Sequence, residues 1–308
     1  MDGFINSGEG ATTIKLTHLM KLSTSGNAKT ELLAVVTVEG ENTGSYMLSE
    51  KGNGIYSSQL TITNSQRYRI RIKTKAGKEY LSDFVTAKST PAIDDVTWEV
   101  NQANNGLQIY VTTHDPKQES RYYQWEYEET WQYHSDCNNP LDQPSKYTCW
   151  KSENSNKIFV STSVKLSEDI ISHFPLAFVN ANSEKPYVVY SILVKQYAIS
   201  KEAYDYLALL KKTSEQMGSI FDAQPAQLSG NVKCISDPSE IVMGFITAHT
   251  VDLKRVFIPN SKLPVWFYKI PSWYNCPPPE DGPCSISPSC SDCRVRGGTI
   301  VKPDFWIY

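Results

Sequence analysis

Histidine, long apolar runs and positive charge are what this chain has least of. Only five His occur and no two share metal-binding spacing, so no histidine metal centre is expected. The longest apolar stretch is Tyr187–Val194, far short of the ~20 residues a membrane-spanning helix needs. A net charge of −3 leaves no basic field to draw in nucleic acid. No Gly-x-Ser-x-Gly occurs. His134-Ser-Asp136 is a neighbourhood in sequence, whereas catalytic triads assemble in space. His114-Asp115 reads as a turn and Glu128-Glu129 as a strand end in water. Gly297-Gly298 lacks the Gly-x-x-x-x-Gly-Lys phosphate cradle and reads as a tight turn. No catalytic residue, metal or cofactor is therefore expected.

Aromatic residues and cysteine are plentiful. The chain has 18 Tyr, 7 Trp and 7 Cys in 308 residues. Cysteines clustered in Pro/Ser/Asn-rich loops suit an oxidising compartment, where loops gain from covalent staples. Cys137 and Cys149 flank a polar loop and are expected to pair with each other. Cys276, Cys284, Cys290 and Cys293 crowd the tail, with three possible connectivities among them. Cys234 is then left as a buried free thiol. The rival readings are zinc, for which only Cys290 and Cys293 have knuckle spacing, and free thiols. As a redox pair, Cys290-x-x-Cys293 lacks the helix N-terminus that lowers a thiol pKa, so a structural bridge is the expectation.

The length predicts two or three domains. Short strands separated by turn signals fill residues 1–90, which predicts a β-sandwich. In Tyr68-Arg-Ile-Arg-Ile72 the alternation is strict, with the arginines outward. Ser89-Thr-Pro91 reads as a linker. Residues 91–258 form a second β-rich region. There Asn104-Asn-Gly106 marks a hairpin, Tyr123, Trp125 and Tyr127 share one strand face, and Tyr187–Tyr197 is apolar on both faces, as a central strand should be. Further strands are expected at Ile158–Val160, Asn231–Cys234, Ile241–Ala248 and Arg255–Ile258. One inserted helix is predicted over 200–213, capped by Ser200 with Glu202 in its first turn. Residues 259–308 form a Cys-rich tail packed on the body. The fold expected is mainly β: two immunoglobulin- or fibronectin-like sandwich regions, one main α-helix and an irregular tail.

The tail segment Cys290-x-x-Cys293-Arg-x-x-Gly-Gly-Thr-x-x-Lys-Pro-Asp-Phe-Trp306 resembles a Bacteroidota outer-membrane lipoprotein family catalogued only as a domain of unknown function (number four-two-four-nine). Gly3-Phe-Ile-Asn6, Cys149-Trp150, Ser200-Lys-Glu-Ala-Tyr204, Gly218-Ser-Ile-Phe-Asp222, Gly230-Asn231 and Val242-Met-Gly-Phe245 resemble its pattern in order. The resemblance implies a lipid-anchored protein at the outer membrane, on its cell-surface or periplasmic face, usually encoded beside a TonB-dependent transporter. It implies an acylated Cys shortly before the opening strand. None of the seven Cys lies there, and Met1-Asp2 reads as a start that replaces a removed targeting segment. No activity, and hence no catalytic residue, carries over from the family.

Binding residues are sought among rings that core packing does not demand. Trp131, Tyr133 and Trp150 lie on the loop side of the ring-rich strand. Trp266, Tyr268, Trp273 and Tyr274 sit in an irregular stretch. Lys302-Pro-Asp-Phe-Trp306 reads as a packing anchor. The expected role is an accessory binding or gating module of a TonB-dependent outer-membrane barrel, without catalysis. The alternatives are a hydrolase acting on imported cargo and a purely structural envelope subunit.

Overall fold

A computed structural model describes residues 1–20, 28–135, 146–166, 169–216, 230–268, 290 and 292–308. It is mainly β, with one α-helix among the described residues. The N-terminal body contains β1 (Asp2–Asn6), β2 (Ala11–Lys15), β3 (Val35–Gly40), β4 (Ser45–Gly52), β5 (Ile55–Gln59), β6 (Arg67–Lys73), β7 (Glu79–Ser82) and β8 (Val85–Thr86). Alternation sets its core. Tyr68, Ile70 and Ile72 of β6 point inward beside Val36 and Val38 of β3. The outward Arg69 and Arg71 both reach Glu39, at 2.7 and 2.6 Å.

The second body contains β9 (Ile93–Asn101), β10 (Gly106–His114), β11 (Tyr122–His134), β12 (Thr148–Asn154), β13 (Phe159–Thr162), β14 (Ile170–Asn180) and β15 (Val189–Ala198). Helix α1 (Lys201–Gln216) follows, then β16 (Val232–Cys234), β17 (Ala248–His249) and β18 (Asp252–Pro259). Here a sheet ordered β14-β10-β9 faces one ordered β12-β11-β15-β18, with β13 also on β11. The central strand β15 pairs with β11 and β18, as its two apolar faces require. One of its fully buried polar side chains, Gln196, is satisfied across the body. It accepts from Trp125 Nε1 at 2.8 Å and donates to the Pro91 carbonyl and Thr113 Oγ1, both at 2.9 Å.

The division of the chain at residue 90 marks where β9 takes over, but 1–90 does not complete the first body. β16 pairs with β7 and β17 pairs with β1, so residues from 91–258 return to extend that sheet to ten strands. Val232, Ile246 and Ala248 join its core. Between these strands the expected strand over Ile241–Ala248 is not formed, and only Ala248–His249 pairs regularly. Backbone crowding gives the reason. Gly244 has φ of +140°, and a Cβ on Gly230 would lie 1.7 Å from the Gly244 carbonyl oxygen. In place of a backbone ladder, the buried Asn231 amide donates to the Ile246 carbonyl and accepts from the Ile246 N–H, both at 2.8 Å.

Helix α1 starts where its cap predicts: the Ala203 N–H donates to Ser200 Oγ at 3.2 Å. It runs to Gln216, three residues beyond the expected end at 213, and packs Ala203, Tyr204 and Leu207 where the two bodies meet.

Candidate functional site

The tail is where the sequence reading changes most. Cys149 does not pair with Cys137; it forms a disulfide with Cys293, with S–S 2.01 Å and Cα–Cα 5.8 Å. The cause is the main-chain register. Trp150 of β12 and Thr299 exchange N–H to carbonyl bonds at 2.8 and 2.9 Å, so the tail adds to β12 like one more strand. The Tyr133 hydroxyl donates to the Cys293 carbonyl at 2.7 Å. Gly298 lets the tail lie this close, since a Cβ there would meet Tyr133 Oη at 2.3 Å. Cys290 and Cys293 are therefore not bonded to each other, and the tail cysteines do not form a closed set. Cys290 is itself disulfide-bonded. Cys234 is free and buried, as expected. Cys137, Cys276 and Cys284 lie outside the described residues.

Three of the rings proposed as contacts are used by this clamp. Trp131 and Tyr133 belong to the buried core, and Trp131 Nε1 donates to Glu184 at 3.1 Å. The Arg296 guanidinium lies 4.8 Å from the Tyr133 ring centre and pairs with Glu184 at 3.5 Å. Trp150 packs edge-on to Trp306, with centroids 6.5 Å apart. Such rings hold the tail down: Trp131 and Tyr133 are buried, and Trp150 is half-buried. Trp266 packs partly buried against the same core beside Phe267. Tyr268 closes the short 3-10 turn Val265–Tyr268. Trp273 and Tyr274 lie outside the described residues.

Glu129 is likewise not at a strand end in water. It is 6% exposed in the middle of β11. It accepts from Lys185 Nζ and from the Tyr190 hydroxyl, each at 2.6 Å. Burial, and then the Glu129 charge, push the Tyr190 phenol well above its ordinary value, so it stays a proton donor. This arrangement satisfies a buried carboxylate.

Much of what the tail leaves outward is apolar, interspersed with the exposed Arg294, Lys302 and Asp304. Val295, Ile300, Val301, Phe305, Ile307 and Tyr308 are all more than a third exposed, and Val301 and Ile307 reach 69% and 75%. Trp306 turns fully in, as Cys290 and Cys293 do, and its indole donates to Gln132 at 3.3 Å. Arg255 covers one face of Phe305, 3.5 Å from the ring centre. A second feature is an open cleft where the two bodies meet, lined from residues 83–88, 119–122, 198–202 and 245–248. Sequence reasoning missed it because its walls come from segments far apart in the chain.

A family model described as Domain of unknown function (DUF4249) matches residues 1–255. The chain belongs to that family. The match includes Gly3–Asn6, Cys149-Trp150, Ser200–Tyr204, Gly230-Asn231 and Val242–Phe245, and it ends before the tail segment Cys290–Trp306. Two of these segments have structural work to do: Gly230-Asn231 and Val242–Phe245 form the close crossing that returns the chain to the first body. No curated protein matches the chain.

Proposed function

We propose that this member of the family is a lipid-anchored accessory protein of the bacterial outer membrane, acting as the binding or gating module of a TonB-dependent barrel and catalysing no reaction. The observation that supports this most is the outward face of the clamped tail. Six large apolar side chains are exposed within residues 295–308, on a segment tied to the body by a disulfide, a main-chain bridge and a buried tryptophan. Exposed apolar surface held this rigidly is what a stable protein contact needs, because little ordering entropy is lost on docking. The barrel is the partner that the family resemblance implies.

Affinity purification of the tagged full-length protein from native envelopes tests the reading. The expected result is a stoichiometric outer-membrane barrel that is lost when Val301 and Ile307 are both changed to Asp. A lone, soluble protein from the same envelopes contradicts it.

A further inference from the structure

The cleft between the two bodies has about 720 Å3 of open space. Ligand sites favour such junctions, and here the charges that line it are unevenly used. Arg67 is committed to Glu41 at 2.8 Å and Lys201 to Asp205 at 2.6 Å. Lys88 and Arg121 are different. Lys88 Nζ reaches only the Ile199 carbonyl, at 3.3 Å, and Arg121 reaches Gln118 Oε1, at 3.3 Å. Neither makes an ion pair among the described residues. Of the lining carboxylates, Glu202 caps the start of α1 through its own amide and Ser200, and Asp83 faces Lys233 at 4.0 Å. That leaves Glu119 and Glu202 as the opposing charges, and neither makes an ion pair with Lys88 or Arg121 among the described residues.

The apolar part of the cleft is already ordered. Phe84 is held under the guanidinium groups of Arg69 and Arg67, at 4.5 and 5.6 Å. Tyr122 packs on Tyr204 and Phe245 on Tyr206, with centroids 5.3 and 5.5 Å apart. Both rings are therefore braced by the helix. Burial lowers the Lys88 ammonium below its ordinary value, with the Glu202 charge opposing the shift. A partly desolvated cation with no carboxylate in ion-pair contact gains more from an incoming anion than an exposed one does.

We infer that the cleft binds a small ligand by an oxyanion group, carboxylate or phosphate, taken by Lys88 and Arg121, with the ligand's apolar part against Phe84, Tyr122 and Phe245. Lys88 is bridged through its backbone to His249 in the first body, whereas Arg121 leads into β11 of the second. A ligand held by both cations therefore spans the junction. The inference deepens the binding-module reading, and rests on it for what the capture serves, by naming the chemistry captured.

The test is calorimetric titration of the full chain with phenyl phosphate, benzoate and the neutral benzyl alcohol. At least one anion should bind tenfold or more tightly than benzyl alcohol, and the tighter of the two identifies the oxyanion. Lys88→Met and Arg121→Gln should each weaken that binding at least fivefold and leave the neutral probe unchanged. Arg121 lies outside the core, so Arg121→Gln keeps the test readable if Lys88→Met does not fold. Anions that bind no better than benzyl alcohol, or that are indifferent to Arg121→Gln, overturn the assignment. The titration contains no envelope partner, so its failure leaves the transporter reading standing. Loss of barrel co-purification would sink that reading and leave the cleft.

Discussion

The two bodies are held together by different means. The first has a mainly aliphatic core, with Ile5, Ile14, Val36, Val38, Ile70 and Ile72 beside two buried tyrosines, Tyr56 and Tyr68, and it depends on a returning piece of chain, residues 231–249, to extend its sheet. The second has a core richer in rings, with Trp125, Tyr123, Tyr133, Tyr190 and Phe267 fully buried among aliphatic side chains, and a tail fixed to it by a disulfide over 144 residues. Both solve one problem: each takes a segment that cannot bury enough surface alone and anchors it to a finished sheet. Side-chain hydrogen bonds from Asn231 serve the first body, and a covalent bond serves the second. The first body is therefore expected to be sensitive to point substitution at the crossing, and the second to substitution in its core and to reduction.

The largest effect is expected for Trp125→Ala. It removes a fully buried indole and leaves Gln196 Oε1 without its donor, a loss of roughly 3–5 kcal/mol read from urea unfolding of the second body. Next comes Cys149→Ser with Cys293→Ser, which should cost about 2–5 kcal/mol and free the tail to protease. Stability of the first body should not change. Asn231→Ala reverses the comparison. It strips both bonds from Ile246 in a buried site and should cost about 2–3 kcal/mol in the first body alone. Equal loss in both bodies would show that they unfold as one unit and would remove the contrast.

The smallest effect is in pH. Burial alone would raise the Glu39 carboxyl, but bonds and charge from Arg71 and Arg69 outweigh it and hold the group below its ordinary value of 4.5. A depressed carboxylate stabilises the fold above its unfolded pKa, and this contribution is lost as pH falls through the folded value. Glu126, at the junction face of β11, is shifted the other way. Burial raises it, with the Tyr197 hydroxyl bond opposing. Just above pH 4.5 the folded state keeps a proton there that the unfolded state has lost, so stability falls as pH rises through that window. Urea midpoints should therefore drop for the first body below pH 4.5. For the second body they should drop as pH rises above 4.5, and Glu126→Gln should flatten that slope.

Local pattern carried the elements that local physics decides. The alternation in Tyr68–Ile72, the Ser200 cap and the two apolar faces of Val189–Ala198 each place an element where the structure has it. Two strands were illegible. β12 buries only Cys149 of its seven residues, so it reads as polar loop. β14 holds Pro175 and two register shifts against β10, which break the two-residue period. The disulfide was misread for a related reason. Nearness in sequence favoured Cys137, whereas the partner of Cys149 is chosen by a strand that arrives 144 residues later. The cleft cations were invisible because Lys88 and Arg121 become neighbours only through the packing of the two bodies.

The clamped tail is the claim on which the proposed docking surface depends. Peptide mass mapping of the protein under non-reducing conditions tests it directly. A linkage that joins Cys149 to Cys293 is expected, beside a separate one at Cys290. A Cys137–Cys149 or a Cys290–Cys293 linkage in its place would contradict it.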